Sequence, residues 1–240
     1  MNLTENTPQT DRKVKSYLWM ILLFDCVVLG LTILRAVLNQ KTPMRYFEET
    51  GIISWFSCLK LLVLSGLAWR IGWVRKQAKI LGKKAPQNLW KWIAWGFFYL
   101  AVDEIVQIHE AMDWLIHWAF KIQETRLTDS IDDVIVVLYS IVGVYILYDF
   151  WDEFKRYFAA FSLFIFAFVL KGIMVAFDVY TNDETVFSAW FNDPEEQKMM
   201  LDWFKTIEDS FKILAEGVFI AAFIACLQIA KRITRKQITP

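Results

Sequence analysis

Six apolar blocks, each long enough to cross a bilayer as a helix, limit what this chain can fold into. They occupy approximately residues 17–38, 52–73, 89–120, 131–150, 157–180 and 207–230. A bilayer core of about 30 Å is crossed by roughly 20 mostly apolar residues in α-helix. Inside hydrocarbon each backbone N–H and C=O must be satisfied internally, which leaves helices and closed barrels as the only spanning structures. Gly and Pro are sparse, 9 and 5 in 240 residues, and no short run alternates apolar with polar, which disfavours a β-barrel. The blocks consume most of the chain. The expectation is an all-α, polytopic membrane helix bundle of about six transmembrane helices, forming a single transmembrane domain over residues 1–240.

The charges balance, with 26 Lys plus Arg against 26 Asp plus Glu, but they are segregated. Bases gather at Arg12, Lys13 and Lys15, from Arg70 to Lys91, at Lys155 and Arg156, and from Lys231 to Lys236. The segment 181–202 instead carries six acids against Lys198. Short cytoplasmic loops hold the Lys/Arg excess, so both termini are expected in the cytoplasm (N-in, C-in). That gives a cytoplasmic tail over 1–16, a basic cytoplasmic loop over 74–89 and an acidic outer segment over 181–203. The first block is longer than a signal-peptide core and lacks a small-x-small cleavage site, so it reads as a retained helix. The expected location is the plasma membrane, the inner membrane in a bacterium, and the expected partner is the lipid bilayer. The basic loop reads as a topology signal rather than a nucleic-acid contact, and a homo-oligomer stays open. Cys26, Cys58 and Cys226 all fall in expected spans without CxxC spacing, and are read as core residues rather than a disulfide or zinc framework.

Ionisable residues inside spans are costly and mark functional sites by default. At 100° per residue, Asp103, Gln107, Glu110, Asp113 and His117 share an arc of roughly 120° on the third span. His109 lies just outside it and Glu104 points elsewhere. On the sixth, Asp202, Lys205, Glu208, Asp209, Lys212 and Glu216 share an arc of about 120°. Asp129, Asp132 and Asp133 make a stripe entering the fourth span. Lys171 and Asp178 share one face of the fifth, and Ser57 and Lys60 are neighbours on the second. Asp25 and Arg35 in the first span are read as structural or snorkelling. The topology sets His109, Glu110, Asp113, His117, Asp133, Glu208 and Asp209 at one outer level. They are expected to surround a single hydrated cavity open to the outer face. Asp129, Asp132, His117, Asp178 and Asp202, near the outer span ends, each taken alone read as headgroup-region residues, and Lys212 fits a structural ion pair with Glu208 or Glu216 at i,i+4.

The motifs Asp103-Glu104 before His109-Glu110, Asp132-Asp133 opening a span, and Glu208-Asp209-x-x-Lys212 resemble those of a group of uncharacterised bacterial multi-span membrane proteins. Glu49-x-Gly51 entering the second span extends the resemblance over most of the chain. It implies one site at these positions and no particular chemistry.

Two readings use the same residues. In the first, a divalent metal (Zn, Mn, Fe or Mg) is held by His109, Glu110, Asp113, His117, Asp133, Glu208 and Asp209, as carboxylate and imidazole ligands on facing helices allow. Glu110, Lys212, Asp103 and Glu208 would then do the catalytic work of a membrane enzyme, a hydrolase acting on a lipid or other amphiphile. In the second, the acids, histidines and lysines relay protons or bind a cation in a transporter or channel. No inverted repeat or Gly/Pro-broken helix pair is visible. A structural or sensing subunit is a third class. The expectation leans to the metal enzyme.

Overall fold

Apolar periodicity without breakers makes helices, and helices are what form. The computed structural model describes residues 7–39, 41–48, 51–80, 82–120, 131–181 and 190–238. No strand occurs among them. The helices are α1 (Thr7–Leu38), α2 (Ile52–Lys76), α3 (Pro86–Val106), α4 (Ile108–Phe120), α5 (Ile131–Asp149), α6 (Phe161–Thr181) and α7 (Pro194–Ile238). A 3₁₀ turn, Pro43–Tyr46, precedes α2; a single turn, Trp151–Phe154, and a 3₁₀ segment, Lys155–Ala160, lead into α6.

Four segments are long and apolar enough to cross a membrane: Lys13–Leu38, Ile52–Lys76, Trp151–Thr181 and Pro194–Ile238. On α1, Trp19, Leu23, Phe24, Leu31 and Leu38 are all more than half exposed. Contiguous apolar surface of this kind is rare on soluble monomers and is what a lipid-facing helix presents.

The start of α7 follows local chemistry. Asp193 Oδ1 accepts from the Glu195 N–H at 3.0 Å, and the Asp193 carbonyl accepts from the Gln197 N–H. Pro194 takes the first helical position, followed by Glu195 and Glu196 in the first turn. This is an N-cap, a preset φ and acids at the positive end of the helix. The helix then runs 45 residues without a break, about 68 Å at 1.5 Å per residue and so more than twice a bilayer core.

The third expected span is not one helix. It divides at Gln107, which takes the left-handed conformation, φ 57° and ψ 49°. The Gln107 N–H still bonds the Asp103 carbonyl at 2.7 Å, and the Gln107 carbonyl accepts from the Ala111 N–H at 2.9 Å. One helix therefore stops and the next starts across a single residue. Ile105, Val106 and Ile108 flank it, β-branched side chains stiff in χ1 that lower helix propensity.

The chain divides into two units, residues 1–60 with 159–226, and 61–158 with 227–240. In the first, Leu29, Phe47, Ile53 and Ile213 form one core, and Ala167, Leu170, Ala215 and Val218 another. Small residues dominate the buried part of α7: Ala215, Ala221, Ala222, Ala225 and Cys226. They let helix backbones approach where no hydrophobic force drives them together. Phe164 and Phe168 pack against Phe219 beside this strip, the latter edge to face at 5.2 Å. In the second unit Leu64, Ala68, Ile71, Leu89, Trp90 and Ala94 are buried, and Ser65 Oγ donates to the Ala94 carbonyl at 2.8 Å.

A left-handed backbone costs a non-glycine residue about 1–2 kcal/mol. Gln107→Gly is therefore expected to hold or raise the thermal midpoint in detergent, whereas Gln107→Ile, β-branched at positive φ, lowers stability by roughly 1–3 kcal/mol.

Candidate functional site

Each charge carried into a membrane span needs a partner, and in the first unit the partners come from three helices. Lys60, on α2, is 4% exposed, and Asp25, on α1, is 1% exposed. Lys60 Nζ donates to Asp25 Oδ2 at 2.8 Å and to the Ile213 carbonyl on α7. One turn before Lys60, Ser57 Oγ donates to Glu216 Oε1 at 2.7 Å, and Glu216, also on α7, is buried. The Glu216 carboxylate acts on the Lys60 ammonium through space as well. Phe56 places its ring 5.2 Å from Nζ, a cation–π contact at a desolvated ammonium.

The backbone is shaped to admit this cluster. A Cβ at position 217 would lie 2.1 Å from Asp25 Oδ2 and 3.1 Å from Ile21 Cγ2. Gly217 therefore leaves the space that the Asp25 carboxylate fills. Two carboxylates, one ammonium and one hydroxyl give the cluster a net negative charge when both acids are ionised. Asp25 Oδ1 is buried and accepts no hydrogen bond among the described residues. A buried polar atom without a partner is costly to hold in a dry site.

The second unit holds an ion pair of another kind. Arg75, fully buried, donates through Nε to Glu153 Oε1 at 2.6 Å and through Nη2 to Glu153 Oε2 at 2.9 Å. Its Nη1 donates to Thr234 Oγ1 and Gln237 Oε1, and the Tyr157 hydroxyl donates to Glu153 Oε1 at 2.9 Å. The bidentate geometry and four partner side chains satisfy both charges. This is a fastening between helix ends, with no spare valence for chemistry.

The expected site residues fall unevenly. Asp103 and His117 are buried and belong to the second unit. Glu208, Asp209 and Lys212 belong to the first and are partly exposed on α7. Glu208 Oε2 accepts from Thr181 Oγ1 at 3.3 Å, with Asp178 and Asp209 close enough to act on it electrostatically. The side chains of His109, Glu110, Asp113 and Asp133 lie outside the described residues, and so does the convergence expected for Glu110, Asp133 and Glu208. Among the described residues no group of three or more His, Cys, Asp or Glu is placed to hold a metal ion. Glu216 accepts from Ser57 Oγ, a partner on another helix that the sequence does not point to. Asp25, expected to be structural or snorkelling, is a buried member of the cluster. Of the cysteines, Cys226 is buried, Cys58 intermediate and Cys26 exposed.

Asp25, Arg75 and Glu153 are what the sequence pattern misses. The available signal is one acid in the apolar run of α1 and one base in that of α2, a pair that hydrocarbon would force together.

A family model described as a domain of unknown function (DUF8692) matches residues 19–227. No curated protein and no solved structure matches the chain.

The Gly217 contact gives a direct check. Overpacking typically costs about 1–3 kcal/mol, so Gly217→Ala is expected to lower unfolding stability by that amount in detergent. Gly143→Ala, at a position with nothing within 4 Å, should stay within about 0.5 kcal/mol of the parent.

Proposed function

The chain belongs to the DUF8692 family, and we propose that it is a plasma-membrane protein of six spans, with both termini cytoplasmic, that translocates protons or a small cation. The observation that carries this is the Asp25–Lys60–Ser57–Glu216 cluster, held at full burial between α1, α2 and α7. Acids paired with a lysine inside spans are how membrane proteins relay protons and bind cations. A buried pair is weak evidence for stability, since well-packed apolar residues often serve as well. Here one carboxylate oxygen of Asp25 has no donor among the described residues. The Lys60 ammonium, with three donors on a flexible stem, passes between Asp25 and Glu216 as a proton or cation loads and leaves.

Flux through proteoliposomes tests this. Protein reconstituted with a pH-sensitive dye inside should dissipate an imposed pH or cation gradient faster than empty vesicles. Asp25→Asn, which keeps an acceptor at Oδ1 but removes the charge, should cut that rate by about tenfold or more, a barrier change of roughly 1.4 kcal/mol. Wild-type vesicles no leakier than empty ones, or Asp25→Asn and Lys60→Met both at full rate, would refute the assignment.

A second reading, a metal-dependent membrane enzyme acting on a lipid or other amphiphile, is favoured by the break at Gln107. The break sets Asp103 and Glu104 in the last turn of α3, at its negative end. His109 and Glu110 fall in the first turn of α4. Broken helices frame cation sites in membrane proteins, and these residues with Asp113 and His117 offer oxygen and nitrogen ligands. Elemental analysis of purified protein should then find close to one divalent ion per chain, lost in Glu110→Gln with the fold intact by circular dichroism. Less than a tenth of an equivalent of any metal in wild-type protein sinks this reading and leaves the first.

A further inference from the structure

From Ile52 to Val102 the sequence holds eight Lys and Arg and no Asp or Glu. Lys60 and Arg75 are consumed inside by Asp25 and Glu153. Lys84 pairs with Asp149 at 2.9 Å, and that hydrogen bond holds its ammonium above the ordinary lysine range. Arg70, Lys76, Lys79, Lys83 and Lys91 stay exposed.

Part of this charge is gathered around a hollow in the second unit. A groove of about 220 Å³ lies between the end of α2 and the start of α3, lined by Trp69, Gly72, Trp73, Lys76 and Lys91. It adjoins a hollow of about 380 Å³ lined by Trp73, Lys76, Gln77 and Lys79. At position 72 a Cβ would meet Trp90 Cβ at 3.2 Å, so a glycine there lets α3 come close to α2. The walls are the Trp69 and Trp73 indoles, each more than half exposed. The Arg70 guanidinium lies 5.1 Å from the Trp73 ring centre.

A positive-inside bias needs bases on this side of the membrane; it does not need them around a concave surface with aromatic walls. Tryptophan favours the level of lipid headgroups, and basic pockets between spanning helices on the cytoplasmic side suit anionic headgroups. An aqueous anion gains nothing from indole walls, whereas a lipid fills both parts, its phosphate at the lysines and its glycerol and upper acyl chain along the rings. We propose that this groove binds an anionic phospholipid of the cytoplasmic leaflet.

The experiment uses the full chain purified in detergent, with phosphatidylglycerol or phosphatidylcholine added, read by native mass spectrometry and thermal unfolding. Phosphatidylglycerol should remain bound and raise the midpoint where phosphatidylcholine does not. The double variant Lys76→Gln/Lys91→Gln should weaken retention by about tenfold or more, as loss of two lysine–headgroup attractions implies. Removing two exposed bases elsewhere, Lys13→Gln/Lys15→Gln, should leave it unchanged, and circular dichroism shows that each variant is folded. Equal effects of the two lipids, equal losses in the two double variants, or the same midpoint shift from inorganic phosphate alone would overturn the proposal.

Discussion

Hydrocarbon offers no water to a charge, so an ionised side chain in a span must bring or find its counter-ion within reach. Most of what is specific in this protein follows from that constraint. Lys60 could not be held in α2 without Asp25 from α1 and the Ile213 carbonyl from α7. Those contacts in turn require a glycine at 217 and fix which faces of the three helices meet. Apolar packing alone does less to select an arrangement, because lipid tails compete with leucine on equal terms. The cluster supplies direction to a core that is otherwise leucine, isoleucine, alanine, valine and phenylalanine.

The two buried ion pairs differ in how fully their polar atoms are satisfied. Arg75 and Glu153 meet through two parallel hydrogen bonds, and Thr234, Gln237 and Tyr157 fill remaining positions around them. Every added partner deepens one state at the expense of others. Asp25 and Lys60 meet through a single bond, with a second acid one helical turn away and one carboxylate oxygen without a donor. An incompletely satisfied pair has more than one arrangement of similar energy, which movement of a proton or ion requires.

Features set by neighbouring residues are readable in the sequence; those set by distant ones are not. The Asp193–Pro194–Glu195–Glu196 run fixes the start of α7 through contacts no more than four residues apart, and the helix begins there. Apolar blocks of sufficient length identify four helices able to cross a membrane in the same way. The turn at Gln107 escapes a search for Gly or Pro because neither is present, and a β-branched neighbourhood is too common to mark it. Lys60 and Glu216 are visible as intramembrane charges, but their partners follow only from which helices touch. Ser57, 159 residues away along the chain, is such a partner of Glu216. Arg75 reads equally as a topology signal, and nothing within its own helix reveals Glu153.

The order in which the cluster can be completed is also fixed by where its members sit along the chain. Asp25 and Lys60 are 35 residues apart, and both arrive early in synthesis. At roughly 5–20 residues per second their helices emerge within about 2–7 s of each other and can enter the bilayer as a neutralised hairpin. Ser57 and Glu216 are separated by 159 residues, a delay of roughly 8–30 s at the same rate. During that interval the ammonium lacks the Ile213 carbonyl and the Asp25 carboxylate lacks the surface that Gly217 offers it. The growing protein thus carries a partly built polar centre through the insertion of every intervening helix. A chaperone or insertase that shields α1 and α2 would act in that window, before the last helix closes it.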